Sequence, residues 1–147
     1  MKKLLGAILL SLLSLPVAAQ EVRPCDDLAS VDAIGEPWAN HTQIFAGNRV
    51  RLVVIDTLEP AAAAFQLIIL SPPFDEVGGR QCMMVGSSGT LGFGDMTLEG
   101  LSSSYDPSKG LTWGIKVKTY NAATGGFDDK VLRVTLNQSS GQISAAY

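Results

Sequence analysis

The sequence predicts an all-β fold, either an antiparallel β-sandwich or a small closed barrel of about eight short strands. Three observations support this prediction. Short apolar runs alternate with turn residues about every 8 to 12 positions. No long amphipathic helix interrupts them. Two neighbouring runs, 49–57 and 63–70, are apolar at nearly every position, which indicates central strands that are covered on both faces.

The N-terminus has the pattern of a secretory signal peptide. Lys2 and Lys3 precede an apolar run too short to span a bilayer, and Val17-Ala18-Ala19 ends it with small residues. We therefore expect cleavage after Ala19 and a single mature domain at 20–147 that does not span a membrane. The short basic start is typical of bacterial signal peptides, so the predicted location is periplasmic or secreted.

The charge of the mature chain argues against nucleic acid as a partner. Removal of Lys2 and Lys3 leaves 9 basic and 14 acidic residues, a net charge of −5. The basic residues are scattered along the chain. Such a surface repels phosphate backbones and anionic lipid headgroups.

Cys25 and Cys82 are the only cysteines, and both lie in the mature part. An even number of cysteines in an exported protein predicts one intramolecular disulfide. A redox or metal site would need a close pair such as CxxC, which is absent. We therefore expect the disulfide to tie the N-terminal arm to the strand that begins near Arg80.

The first half of the chain is predicted as an irregular arm followed by four strands. The arm, 21–37, is held by Cys25 and has room for one helical turn near 26–31. Gly47-Asn48 forms a tight turn, the alanines at 61–64 allow a second helical turn, and the prolines and glycines at 72–79 end the central pair. The predicted strands are 42–46, 49–57, 63–70 and 80–85.

The second half is predicted as two hairpins. Asp106 to Gly110 supplies turn residues between the first two strands, and Ser139-Ser140-Gly141 does so between the last two. Loops are expected at 86–94, as a mobile loop or bulged edge, and at 121–129. The predicted strands are 96–105, 111–120, 131–137 and 142–146. In the second of these, period-two alternation places one set on the buried face: Leu111, Trp113, Ile115 and Val117.

Residues for catalysis are sparse. His41 is the only histidine, and the nucleophile motif GxSxG is absent. Asp95 with Glu99 is a conceivable carboxylate pair for glycoside hydrolysis, although a small domain offers little depth for a sugar cleft. A small extracytoplasmic hydrolase that uses His41 or this pair therefore remains an alternative only.

Metal ligands are also sparse, and neither a metal nor a cofactor is predicted. One histidine and two disulfide cysteines are too few for zinc. Four loop acids are the kind of residue that binds calcium, but the DxDxDG pattern is absent. These acids are Asp95, Asp106, Asp128 and Asp129.

Aromatic residues at predicted loops are the remaining candidates for a binding surface. Half-exposed aromatic rings form platforms for sugar rings or anchors in protein interfaces, although they also cover the ends of a sandwich. The candidates are Trp38, Phe93, Tyr105, Tyr120 and Phe127.

These observations favour an exported, non-enzymatic module that binds a protein or a carbohydrate through loops of a β-sandwich. The second alternative to this function, besides the hydrolase, is a structural subunit of an envelope assembly. That subunit would use an unprotected edge strand for strand addition by a partner.

Overall fold

The structure, a computed structural model, describes residues 19–147, and these residues form two packed antiparallel sheets. The predicted all-β sandwich with one disulfide is confirmed. The predicted signal peptide lies outside the described residues except for Ala19. The strands are β1 (Glu21–Pro24), β2 (Thr42–Phe45), β3 (Val50–Asp56), β4 (Phe65–Phe74), β5 (Arg80–Gly86), β6 (Asp95–Met96), β7 (Ser102–Asp106), β8 (Gly110–Asn121), β9 (Gly126–Leu136) and β10 (Ile143–Ala146).

Helical structure in the described residues is limited to three short segments. α1 spans Trp38–His41, and two 3-10 turns span Val31–Ala33 and Ala61–Ala63. The alanine run therefore forms the helical turn that its composition predicts. The turn predicted near 26–31 lies a few residues later than expected, because Asp26 instead accepts a hydrogen bond from the Leu28 backbone and starts a tighter turn.

The first sheet has the strand order β1-β5-β4-β3-β2, so the two most apolar strands lie at its centre. The pairing of β3 with β4 places Leu52 opposite Ile69. Leu52 and Ile69 are completely buried against the second sheet, and Ile55 and Ile68 are buried on the opposite face. The central pair is therefore covered on both faces, as its composition predicts.

The N-terminal arm covers the outer face of this sheet. Ala29 and Ala33 of the arm pack against a cluster of Ile55, Ile68 and Met84. The Cys25–Cys82 disulfide fixes the arm to β5, and the Cα atoms of the two cysteines are 5.4 Å apart. The predicted disulfide thus holds in place the arm that covers an otherwise exposed apolar surface.

The arm is more regular than expected, because its first residues form β1. This strand pairs with β5, with Val22 opposite Val85. β1 is an edge strand, and an edge tolerates Pro24, whose missing N–H group would weaken a central strand. With β1, and with residues 96–105 divided into β6 and β7, residues 19–147 contain ten strands rather than eight.

The second sheet has the order β10-β9-β8, and both β6 and β7 pair with the free side of β8. The predicted inward face of β8 is confirmed, since Trp113 and Ile115 are completely buried and Leu111 and Val117 nearly so. These side chains meet those of β3 and β4 in one core.

The predicted loop at 121–129 is wrong. β8 continues to Asn121 and β9 begins at Gly126, so the chain reverses within four residues. The Asn121 side chain accepts a hydrogen bond from the Ala123 backbone, and Gly125 adopts a φ of 70°. Local turn chemistry therefore suffices for a tight hairpin, and the acids that follow lie on an exposed strand end.

The segment 86–94 crosses from the first sheet to the second. Phe65 and Phe93 exchange two backbone hydrogen bonds, and the Gly92 backbone donates to the Ala63 carbonyl. A Cβ at Gly92 would lie 2.2 Å from the Phe65 carbonyl oxygen. The glycines in this segment thus permit close backbone approach.

The turn between β7 and β8 leads to a prediction about pH. The Asp106 side chain accepts hydrogen bonds from the hydroxyl and the backbone of Ser108, at 2.6 and 2.8 Å. These bonds hold the pKa of the Asp106 carboxyl below its ordinary value. The turn should therefore be stabilised at a pH above about 3.9, the pKa of an unfolded aspartate. This stability should be lost as the pH falls through the lower, folded pKa.

Titration of the side-chain carboxyl by NMR measures this pKa directly. Asp106→Ala should lower the melting temperature at neutral pH and have less effect in strong acid. Asp106→Asn is the control, because its amide oxygen still accepts both bonds without a charge. A carboxyl that titrates above the value of an unfolded aspartate would contradict the assignment.

Candidate functional site

The predicted aromatic platform is not a single surface. Tyr105 lies opposite Leu111 near the start of β8, whereas Tyr120 lies opposite Phe127 near its end. Leu111 and Tyr120 are nine positions apart along the strand, a distance of about 30 Å. Trp38 is exposed on α1, a separate element of the fold. Of the five predicted residues, the structure brings together only Tyr120 and Phe127.

Phe93 lies in the core rather than on a ligand platform. Its exposed fraction is 0%, and it packs with the inward residues of both sheets. The assignment of Phe93 to an exposed loop fails because Gly92 and Gly94 let this segment approach its neighbours closely. The burial of Phe93 depends on tertiary pairing with Phe65, which local composition does not reveal.

Tyr120 and Phe127 form an edge-to-face pair at the end of the β8–β9 hairpin. Their ring centroids are 5.9 Å apart, with an angle of 71° between the rings. Phe127 also packs over Gly94, where a Cβ would lie 2.1 Å from a ring carbon. Both rings remain about half exposed, so the pair is supported from behind and open to solvent.

Tyr120 also forms one wall of a groove of about 400 Å³. Tyr147, which follows β10, lines the same groove, together with Ala63, Leu91 and Gly92. We name this recess the tyrosine groove. Its polar side chains besides the two phenols are those of Ser87 and Thr119.

Tyr147 was not among the residues predicted from the sequence. Its ring packs edge-to-face on buried Phe93, with centroids 6.5 Å apart. Burial raises the pKa of the Tyr147 phenol above its ordinary value. The phenol is therefore protonated at neutral pH and able to donate a hydrogen bond.

A second recess, of about 460 Å³, lies where the arm meets the end of β3. Four of its wall residues are acids, namely Asp32, Glu36, Asp56 and Asp95, and a fifth is His41. We name this recess the acidic cleft. Leu58 of the β3–β4 connection also lines it, whereas Pro60 and Ala63 of the same connection line the tyrosine groove. The two recesses therefore flank one connection.

His41 is held rigidly in the wall of the acidic cleft. It is 8% exposed, and its Nδ1 lies 3.1 Å from the Pro37 carbonyl oxygen. The ring stacks on Phe65, with centroids 6.5 Å apart. Gly35 also lies against the ring, and a Cβ there would lie 2.8 Å from it. None of the residues lining this cleft is Ser, Thr or Cys, so no side-chain nucleophile accompanies His41.

Comparison of the chain with models of known protein families, with curated proteins and with solved structures returned no match. Function must therefore be inferred from the two recesses themselves.

The acids considered for calcium or for hydrolysis have other contacts. Asp128 accepts hydrogen bonds from the Asn121 side chain, and Lys118 pairs with Asp129 at 3.2 Å. Glu99 accepts from Asn40 and does not line the acidic cleft with Asp95. Within residues 19–147, no group of three His, Cys, Asp or Glu side chains is placed to hold a metal ion. None of the helices in this part of the chain is long and apolar enough to cross a membrane.

Proposed function

We propose that the protein is an exported, non-enzymatic binding module that takes a carbohydrate in the tyrosine groove. The observation that carries this proposal is the placement of two half-exposed tyrosines, Tyr120 and Tyr147, around one recess. A disulfide and an N-terminal signal-peptide pattern support a periplasmic or secreted location.

The chemistry of the groove suits a sugar ring. The apolar C–H face of a pyranose packs on an aromatic ring, while its hydroxyl groups need hydrogen-bond partners at the edge. Tyr120 and Tyr147 supply both the ring and the phenolic hydroxyl, and Thr119 and Ser87 add two further hydroxyls. Because the groove contains no charged side chain, it favours a neutral ligand.

The size of the groove favours a carbohydrate over a protein surface. Pockets for small ligands have volumes of about 300–1,000 Å³, and this groove has about 400 Å³. A stable protein interface buries more than about 1,000 Å² around clustered anchors. The exposed aromatics Trp38 and Tyr105 do not line the groove, so they do not extend it into such a patch.

A structural role through strand addition has weaker support. β7 is an outer strand whose five residues are all exposed, so it offers backbone groups to a partner. However, it is short and ends at the charged Asp106, and short edges with charged residues discourage such pairing. Strand addition is therefore the less favoured alternative.

Alanine substitution in the groove tests the proposal. The purified protein is titrated by calorimetry with a panel of neutral hexose and N-acetylhexosamine oligosaccharides. Tyr120→Ala and Tyr147→Ala should each weaken the binding of a bound sugar about tenfold, because each removes one stacking ring. Tyr105→Ala is the matched control. Tyr105 lies on β7, beside the opposite end of β8, so its substitution should leave the affinity unchanged.

Three results would contradict this function. One is the failure of every oligosaccharide in the panel to bind, and another is an equal loss of affinity in Tyr105→Ala. The third is the release of new reducing ends from a bound sugar, since this would identify a hydrolase. Melting temperatures of all three variants show whether a loss of affinity reflects unfolding.

A further inference from the structure

Three of the five arginines in the chain come together on the outer face of the first sheet. Arg51 of β3 lies opposite Leu70, which packs against the buried cluster beneath the arm. Arg80 of β5 lies opposite Phe74, and the Arg49 guanidinium lies over the same Phe74 ring. We name the surface formed by these three arginines and Phe74 the arginine patch. The basic residues look scattered in the sequence, and the pairing of β3, β4 and β5 brings three of them together.

Two guanidinium groups of the patch are held in place by an aromatic ring and by backbone carbonyls. The guanidinium carbons of Arg49 and Arg80 lie 5.7 and 5.8 Å from the centroid of the Phe74 ring, which is the range of cation–π contacts. Arg80 also donates from Nη2 to the Asn48 carbonyl at 2.8 Å and from Nε to the Arg49 carbonyl at 3.3 Å. These contacts restrict both side chains, so a ligand does not need to order them.

The charges of the patch have no ionic partner among residues 19–147, since both ion pairs there involve other residues. Asp75, in the adjacent β4–β5 turn, accepts hydrogen bonds from the backbones of Val77 and Gly79 instead. The side-chain hydrogen bonds of the patch use only two donors, both of Arg80. Each guanidinium has five N–H donors, and all three arginines are exposed. Most of these donors are therefore available to a ligand.

Exposed apolar side chains accompany the arginines. Ile44 of β2 lies opposite Arg51, and both Ile44 and Phe74 are exposed. Arginine and aromatic residues are enriched in protein interfaces. None of these residues lines the tyrosine groove or the acidic cleft. The patch therefore offers a surface suited to another protein, whereas a small ligand needs a concave pocket.

We propose that the arginine patch binds an acidic segment of a protein partner, in which carboxylate side chains alternate with apolar ones. A carboxylate matches the guanidinium fork with two parallel hydrogen bonds. The apolar side chains of the segment cover Ile44 and Phe74. Because the chain is acidic overall, the rest of its surface repels such a segment, and the patch determines where the segment docks.

The same charge distribution disfavours an anionic membrane. Lipid headgroups form an extended plane, so docking on the patch would bring acidic parts of the protein close to the membrane surface. A protein segment contacts the patch alone. The patch also lies at the start of β3, about 20 Å from the other end of this strand. The connection that lines the tyrosine groove follows that other end, so a partner on the patch leaves the groove open.

Fluorescence anisotropy with a labelled peptide tests the proposal. The probe is a blocked peptide of three Glu-Leu-Ser repeats, and its neutral counterpart carries Gln in place of Glu. The acidic peptide should bind about tenfold more tightly than the neutral one. Its affinity should fall when the ionic strength is raised from about 10 mM to about 150 mM, because salt screens exposed charges. On binding, the Nε–H NMR signals of Arg49 and Arg51 should shift, and that of Arg133 should not.

Single substitutions locate the site. Arg49→Gln and Arg51→Gln should each weaken the binding of the acidic peptide about fivefold, the upper end for one exposed ion pair. Phe74→Leu keeps an apolar side chain but removes the ring that holds two guanidinium groups, and should weaken binding about threefold. Arg133→Gln is the matched control, because it removes the same charge from an exposed position on the second sheet. Glu76→Gln removes an exposed acid beside the patch and should strengthen binding. Melting temperatures of all variants monitor the fold.

The proposal is overturned if the acidic peptide does not bind, or if the neutral peptide binds equally well. It is also overturned if Arg133→Gln weakens binding as much as Arg49→Gln, because binding would then reflect net charge alone. Two other occupants would contradict it as well. Binding of phosphatidylglycerol vesicles in place of the peptide would identify a lipid site. A dimer in sedimentation that Arg51→Gln dissociates would assign the patch to a second copy of the chain. None of these results depends on oligosaccharide binding in the tyrosine groove, so the two proposals are tested separately.

Discussion

Replacement of both Cys25 and Cys82 with serine is expected to lower the free energy of unfolding by about 4 kcal/mol. The two residues are 57 positions apart, and a cross-link over a loop of this length removes much conformational entropy from the unfolded chain. The native state also loses the anchor of its arm, which covers Ile55, Ile68 and Met84. Few single contacts of a small domain have an effect of this size.

Urea denaturation of the oxidised protein, the reduced protein and the double serine variant measures the effect. The reduced wild type is the matched control, because it has the same opened loop without a change of residue. It should agree with the double serine variant. Hydrogen exchange at the Gly35 amide should also become faster, since this amide donates to the Val54 carbonyl and the arm that carries it is released. If the free energy of unfolding falls by less than about 1 kcal/mol in both the reduced protein and the double serine variant, the packing of the arm alone holds the arm in place.

The elements that the sequence predicts well are those with a strong local signal. The apolar strands at 49–57 and 63–70 require cover on both faces, and β3 and β4 are neighbouring inner strands of their sheet. The alternation from Leu111 to Val117 identifies the buried face of β8 because side chains of a strand alternate strictly. The disulfide is predictable because two cysteines allow only one intramolecular pairing.

The errors occur where distant pairing overrides local composition. Asn, Gly and Asp at 121–129 favour a loop, yet the hairpin partner of β8 extends the strand pairing to Gly126. Phe93 lies between two glycines and looks exposed, but its backbone pairs with Phe65. The residues next to these pairs give no sequence signal for the register of β9 or for this bridge.

Only part of the candidate site was accessible from sequence. The sequence identifies Tyr120 as an aromatic residue near a turn. Tyr147 and Leu91 line the tyrosine groove with it only because the fold brings distant parts of the chain together. Similarly, the sequence singled out His41 and Asp95 for unrelated reactions, and the structure places both in one cleft. Such recesses are assembled from residues far apart in the chain, so local patterns identify residue types but not their neighbours.

The second large effect is expected at Trp113, where alanine should lower the free energy of unfolding by about 3–5 kcal/mol. The indole is completely buried between the two sheets. It packs edge-to-face on Phe45, with ring centroids 5.4 Å apart. Truncation leaves a cavity that closely packed β-sheets do not fill. Trp38→Ala is the matched control, since Trp38 is 49% exposed and a surface truncation should cost no more than about 0.5 kcal/mol.

Trp113→Phe separates the two contributions of the indole. The Trp113 Nε1 is buried and has no hydrogen-bond partner among the described residues, so the indole carries the cost of an unsatisfied donor. Phenylalanine removes this donor and keeps most of the apolar ring. The loss in Trp113→Phe should therefore be less than half of that in Trp113→Ala, as measured by urea denaturation followed by circular dichroism. If both variants lose the same free energy, Nε1 has a partner in solution, and if Trp113→Ala loses no more than Trp38→Ala, the two sheets do not pack around this ring.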